Sequence, residues 1–301
     1  MKKKGYWIYG QGQLKKLGIA KILPIKNKFM KTILVATDFS KAATNAASYA
    51  ADMALALNAN LLLFHVYEIP IAYLEVPVIA NFNDLEDTAK LETEKLKEEL
   101  IERTGNKINI ATQVKTGSFF FELQSTCEHV HPYMVIMGSQ GTTATEHVLF
   151  GSHTIHAMKS LQWPLITVPI NSTHSSVKKI GLACDLEKVI ETVPIAEIKA
   201  LLSDFSAELH IINTGKKGNF ASDIIFQSGV LDEMLHRFNP HFHFVTNDNI
   251  DEGILDFVEK NGIDLLIALP KRHDLLNSII HKSHTRQFII HSHIPVMMLH
   301  K

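Results

Sequence analysis

Thr32-Ile33-Leu34-Val35-Ala36-Thr37-Asp38 is a continuous apolar run closed by a threonine and an aspartate. A run without polar alternation reads as a β-strand buried on both faces, the kind found in parallel sheets. Ser40 stands where it can cap the next element, and residues 41–57 are alanine-rich and helical in pattern. Leu61-Leu62-Leu63-Phe64-His65-Val66 is a second buried strand. A loop with Pro70 and Pro77 leads to a charged amphipathic helix over 84–103 and a third strand over 108–114, ended by Gly117. A helix over 119–130, a fourth strand Tyr133–Met137 closing on Gly138, a helix over 152–161 and a fifth strand Leu165–Val168 complete the unit. Strands buried on both faces that alternate with helices predict an α/β fold, a parallel sheet covered by helices on both sides.

The order then recurs. Lys179-Ile180-Gly181-Leu182-Ala183-Cys184-Asp185 matches Thr32–Asp38 at a distance of 147 positions, and Ala207–Asn213 matches Ala59–His65. Ile263–Leu269 echoes the fourth strand. Pro295-Val296-Met297-Met298-Leu299 echoes Pro164–Val168 at 131 positions, so the second copy is 16 residues shorter, chiefly between its second and third strands. The polar stretch Asn171–Ser176 reads as a linker. A chain of 301 residues has room for about two domains. The expected division is a basic extension over 1–29, a first domain over 30–170 and a second over 177–301, with two tandem open five-stranded parallel sheets. This is a duplication rather than a long repeat array. Leu165–Val168 and Val296–Leu299 are apolar and end their sheets, so they are expected to pair the two domains within the chain.

Formal net charge is −1, but residues 1–29 hold eight lysines and no acid, leaving about −9 on residues 30–301. An acidic body argues against nucleic acid as a partner of the folded part. The extension scatters Tyr6, Trp7 and Tyr9 among its lysines. Gly10-Gln11-Gly12 lacks both a third glycine in register and a preceding strand, so it is not read as a phosphate loop. The extension is expected to lie outside both cores. Cys127 and Cys184 are far apart with no CxxC spacing, and read as reduced, buried thiols of a cytoplasmic protein. No apolar run reaches the length of a membrane span. The basic N-terminus lacks an apolar core followed by a small-residue cleavage site, so it does not read as a secretory signal.

Chemistry concentrates after the fourth strand, in Gly138-Ser139-Gln140-Gly141, nine residues, then Gly151-Ser152. In an open α/β sheet ligands bind beyond the carboxyl ends of the strands, where strand order reverses. Asp38 and Gly138 both close strands there. Gly138 and Gly141 let backbone approach a ligand. Gly151-Ser152 opens a helix whose free N–H groups and dipole suit a phosphate, and Ser152 and Thr154 add hydroxyls. Asp38 can accept hydrogen bonds from a base or sugar, although an aspartate after a strand is often only a helix cap.

Gly-x2-Gly-x9-Gly-Ser after the fourth strand, with an aspartate closing the first, resembles the ATP-binding group of universal stress proteins. Val135-Ile136-Met137-Gly138 and Trp163-Pro164-Leu165-Ile166-Thr167-Val168-Pro169 are also similar to that family, and the resemblance covers 30–301 as two copies. It implies a Rossmann-like fold and ATP, with Mg²⁺, cradled by the loop. Asp38 would then lie near the adenine, backbone at Val66 and Met137 beside the base, and Gly151 and Ser152 at the phosphates. Related nucleotide enzymes fit poorly. There is no Gly-x4-Gly-Lys-Ser/Thr, and Thr37-Asp38-Phe39-Ser40 stands where adenylylating pyrophosphatases carry Ser-Gly-Gly-x-Asp-Ser. No HIGH-type histidine pair follows it.

The second copy departs from the pattern. Asp185 remains and Lys282-Ser283-His284-Thr285 echoes Gly151–Thr154, but the glycines are gone, and Leu269, Pro270, Arg272 and Lys282 occupy the corresponding stretch. Proline has no N–H to donate, and a side chain at Lys282 opposes close approach to phosphate. One ATP per chain is therefore expected, in the first domain. Lys271, Arg272, Lys282 and Arg286 could hold a different anion. His273, His281, His284, His291 and His293 lack the short spacings of a zinc site. His291-Ser292-His293 has no cysteine or acidic partner near it in the sequence, so surface or helix-end positions are expected.

Two functions compete: a nucleotide-responsive regulatory module read by a protein partner in stress response, and a slow ATP hydrolase. Hydrolysis needs a positioned water and a base or metal carboxylate beside the γ-phosphate. Near the motif only Glu146, His147 and His153 are available, in no defensible arrangement, so the regulatory module is favoured. Whether chains pair further into a homodimer is open.

Overall fold

In the computed structural model, which describes residues 30–68, 82–139, 152–173, 176–215, 222–270 and 284–301, the opening apolar run forms β1 (Thr32–Ala36). It is followed by α1 (Lys41–Leu57), β2 (Asn60–Tyr67), α2 (Phe82–Thr104), β3 (Ile110–Thr116), α3 (Phe119–Val130), β4 (Met134–Gly138), α4 (Ser152–Ser160) and β5 (Leu165–Val168). The second half runs β6 (Lys179–Ala183), α5 (Val189–Thr192), α6 (Ile195–Phe205), β7 (Glu208–Gly215), α7 (Ser222–Leu235), a 3-10 turn at His236–Phe238, β8 (His241–Thr246), α8 (Ile250–Asn261), β9 (Leu265–Ala268), α9 (His284–His291) and β10 (Val296–Met298). The extension over 1–29 and the loop with Pro70 and Pro77 lie outside the described residues.

The strand order is β3-β2-β1-β4-β5-β10-β9-β6-β7-β8. The two five-stranded sheets pair through β5 and β10, the apolar edges expected to join the halves, and among the described residues they form one ten-stranded sheet. Neighbours within each half are parallel, and the halves meet at the antiparallel pair β5–β10, with Leu165 opposite Met298, Ile166 opposite Met297 and Thr167 opposite Val296. A strand that ends its sheet leaves one row of N–H and C=O groups unpaired, and pairing the two edges satisfies both rows. Because the directions oppose, the carboxyl ends of β4 and β9 lie at opposite edges of the sheet.

Alternate residues of β1 serve two cores. Ile33 and Val35 enter one and Leu34 and Ala36 the other, each at 5% exposure or less. The first core runs through both halves, joining Ile166 and Val168 of β5 to Ile180 and Leu182 of β6 and Met297 of β10. Polar contacts reinforce the junction. Asp204 of α6 pairs with Lys31 and accepts a hydrogen bond from the Tyr133 hydroxyl at 2.5 Å. The Lys31 ammonium also sits 4.1 Å from the centre of the Tyr133 ring. Burial foremost, then the bond to Asp204, pushes the Tyr133 phenol well up from its ordinary value. Asn45 of α1 donates to the carbonyls of Pro169 and Ser172 at 3.0 and 2.9 Å, which ties down the start of the linker.

The halves differ at their first helices. Ser40 caps α1, its Oγ accepting from Ala43 N at 3.2 Å, and α1 continues unbroken for 17 residues. The second half breaks this helix into α5 and α6 at Val193-Pro194. Val193 takes the extended conformation that a following proline imposes. No strand forms through His291-Ser292-His293, in keeping with the helix-end position expected there. His291 ends α9, and Ser292 turns the chain by donating to Ile294 O at 2.8 Å and accepting from Ile294 N at 3.2 Å. Cys127 and Cys184 are buried and not in a disulfide. No helix among the described residues is long and apolar enough to cross a membrane.

Candidate functional site

In the first half β2 and β3 lie on one side of β1, with β4 and β5 on the other, so strand order reverses between β1 and β4. The crevice beyond their carboxyl ends is the expected ligand position. Three local bonds shape its floor. Phe39 N donates to Thr37 Oγ1 at 3.0 Å, Ser40 N donates to Asp38 Oδ1 at 3.0 Å, and His65 Nδ1 donates to the Thr37 carbonyl at 2.8 Å. Phe39 is held at φ 61, a left-handed conformation that costs a non-glycine residue about 1–2 kcal/mol. Its ring lies 4.4 Å from that of His65. Burial lowers the affinity of the His65 imidazole for a proton, and the Thr37 carbonyl and the Asp38 charge oppose it only in part. A neutral ring with its proton on Nδ1 follows. This turn holds the exposed Asp38 at the crevice mouth.

The second half rebuilds the same turn. Leu186 N donates to Cys184 Sγ at 3.4 Å, Glu187 N to Asp185 Oδ1 at 3.0 Å and Asn213 Nδ2 to the Cys184 carbonyl at 2.9 Å, with Leu186 at φ 56. The turn is therefore a structural unit of both halves, and its aspartate does not distinguish them.

Gly138 does distinguish them. A Cβ there would lie 2.8 Å from the carbonyl carbon of Ala42, 2.9 Å from its oxygen and 3.0 Å from Ala43 N. The sequence reading assigned this glycine to the approach of a ligand; the structure shows that it also lets the first turn of α1 close onto β4. Leu269 follows β9 in the second half and packs against the core. There the short α5 is held differently, with Val189 N donating to Gln227 Oε1 of α7 at 3.0 Å.

The buried Thr154 of α4 donates to the Gly138 carbonyl at 3.2 Å, and the buried Ser139 receives its place from a bond between its N–H and the Val168 carbonyl at 3.0 Å. Asp38, Val66, Met137, Gly138 and Thr154 thus gather around the ends of β1, β2 and β4 and the first turn of α4, which begins at Ser152. Gly141, Gly151, Glu146 and His147 lie outside the described residues. Phe39 and His65 were not read as site residues. The one available signal was a polar His65 late in an otherwise apolar strand.

The histidines of the second half separate. His284 Nδ1 meets Asp251 Oδ1 of α8 at 2.7 Å, and His293 lies 3.7 Å from Glu259. Both have the acidic neighbour that the sequence did not show, because α8 is distant along the chain. His273 and His281 lie outside the described residues, and among those described no group of side chains could hold a metal ion.

The sequence profile of the universal stress protein family matches residues 30–169. This part of the chain is a universal stress protein domain. The solved structure of a universal stress protein from Archaeoglobus fulgidus is similar over 89% of this chain and 98% of its own, with a TM-score of 0.68 and 17% identity. A functionally unknown protein from Pseudomonas aeruginosa PAO1 is similar over 90% of this chain and 93% of its own, with a TM-score of 0.56 and 12% identity. At such identity the likeness is one of fold, and it extends beyond the universal stress protein domain into the second half. Comparison with curated proteins returns no match.

Proposed function

We propose that the first half binds ATP with Mg²⁺ and acts as a nucleotide-responsive regulatory module, and that the second half is a degenerate copy that binds no ATP. The observation that carries this reading is the difference at one place. Gly138 brings β4 under α1 beside the Asp38 turn, while Leu269 and the broken α5–α6 helix occupy the corresponding place behind an otherwise equal turn. In this reading Asp38 accepts from the base or sugar, backbone at Val66 and Met137 lines the base, and Gly138, Gly141, Gly151, Ser152 and Thr154 surround the phosphates. Backbone N–H groups at the α4 terminus supply the donors, and Mg²⁺ rides chiefly on the phosphates.

Calorimetry of the full chain with Mg·ATP tests it, and one equivalent is expected. Asp38→Asn keeps an acceptor for Ser40 N but removes the charge. Loss of one charge-assisted hydrogen bond is about 1.5–3 kcal/mol, or roughly 10- to 150-fold in affinity. Gly151→Lys should weaken binding as well. Unchanged affinity in both variants, or two equivalents per chain, would refute the assignment.

A further inference from the structure

The outer edge of the second half carries three imidazoles on one face. Among the described residues β8 is the terminal strand of the sheet and pairs with β7 alone, His241 standing opposite His210 and His243 opposite Ile212. The two-residue period of a strand then places His210, His241 and His243 on the same side. His210 Nδ1 and His243 Nε2 are 3.0 Å apart. The ring centre of His210 lies 5.2 Å from those of both His241 and His243, with interplanar angles of 29° and 14°. Two ring nitrogens at that distance share one proton; with both rings charged, two N–H groups would face each other. Among the described residues His210 Nε2 is buried without a hydrogen-bond partner.

The charges around the trio do not neutralise a second proton. Glu208 at the start of β7 approaches His210 Nε2 to 3.6 Å, but the Lys179 ammonium of β6 acts on the same ring in the opposite sense. From α8, packed over this face, the Phe257 ring meets His243 at 4.5 Å. Of the charged side chains of α8, Asp256 pairs with Lys260, Glu259 with His293 and Asp251 with His284, and Glu252 is exposed in the first turn of the helix.

We propose that this trio makes the β7–β8 edge acid-labile: below neutral pH, imidazole protonation loosens β8 from the sheet and uncovers the outer edge of β7. The proposal is independent of nucleotide binding in the first half. Burial first, then the neighbouring positive charges, holds His210 and His243 below the ordinary imidazole value in the folded edge. A released strand takes protons at about the ordinary 6.5. The stability contributed by the neutral rings is therefore complete above that value. It is lost as pH falls through 6.5 toward the lowered folded values. Each proton withheld by the folded state favours opening about tenfold per pH unit in that window, so two withheld protons give up to about a hundredfold.

β3, the terminal strand at the other end of the sheet, has the sequence IATQVKT and no histidine, so it is an internal control. Hydrogen exchange of the full chain, read by mass spectrometry at pH 7.5 and pH 5.5 and corrected for intrinsic exchange, tests the proposal. Peptides spanning 241–246 should lose about ten- to a hundredfold in protection at the lower pH, while those spanning 110–116 stay unchanged. His210→Phe and His243→Phe keep a flat ring without a titrating nitrogen, and each should reduce the acid loss. Equal changes at both edges, or the full acid loss in both variants, overturns the proposal. If a variant does not fold, the comparison of the two edges in the natural protein still decides.

Discussion

Replacing Gly138 with alanine adds a single methyl group where the structure leaves no room. The new Cβ would stand 2.8 Å from the Ala42 carbonyl carbon, 2.9 Å from its oxygen and 3.0 Å from Ala43 N. These are backbone atoms in the first turn of a 17-residue helix whose inner face is buried, so no flexible side chain can give way. Either β4 or α1 must shift. Overpacking of this kind costs about 1–3 kcal/mol, and at roughly 2–4 °C per kcal/mol for a body of this size the melting temperature should fall by about 2–12 °C. Gly229→Ala is the matched control. It lies inside α7, where an added Cβ meets nothing within 4 Å. Relief of glycine's backbone freedom should there stabilise by about 0.5–1 kcal/mol. Calorimetric melting of both variants without nucleotide gives the comparison. If Gly138→Ala melts with the natural protein, the close approach of β4 to α1 is not a packing constraint and the reasoning fails.

Three further outcomes are expected. Val168→Asp and Met298→Asp each bury an unpaired carboxylate in the β5–β10 junction, where both side chains are fully buried; at several kcal/mol per buried ion the halves should part, seen as a larger radius of gyration in X-ray scattering, and an unchanged profile would contradict the junction. Asp204→Asn removes the charge facing Lys31 and Tyr133, which should cost about 1.5–3 kcal/mol in urea unfolding and shift the Tyr133 phenol back toward, though not to, its ordinary value, because burial rather than Asp204 is the larger cause; an unmoved ultraviolet titration would refute the contact. Burial pushes the Cys127 thiol up to about 12, so at pH 8 it should react with a disulfide reagent only on unfolding, and rapid labelling of the native chain at Cys127 would show the site to be open.

Most element positions were legible because their causes are local. Thr32–Ala36, Lys41–Leu57, Phe119–Val130 and Leu165–Val168 form the strands and helices expected of them, since burial on two faces demands an apolar run and a capped alanine-rich stretch has no better conformation. The helix-end and surface positions expected of His291 and His293 are those found, but the Ser292 turn that separates them came into view only with the end of α9 in place. Asp38 was legible as a strand-end residue, but not that Thr37 and His65 hold it, nor that Cys184 and Asn213 do the same for Asp185. Gly138 was visible as a glycine; its clash partner is almost a hundred positions away and became visible only with α1 in place.

The sequence by itself determined the alternation of buried strands and helices, the echo of one half in the other and the glycine spacing after β4, because each is written in neighbouring residues. The pairing of β5 with β10 was expected, but only the tertiary structure decided that they meet antiparallel with Leu165 opposite Met298, that Asp204 closes on Lys31 and Tyr133, and that His210, His241 and His243 share one face. Those facts depend on strand direction, register and edge pairing. Such pairings are set by which edges and faces meet once the chain is closed, and no local pattern of residue types specifies them.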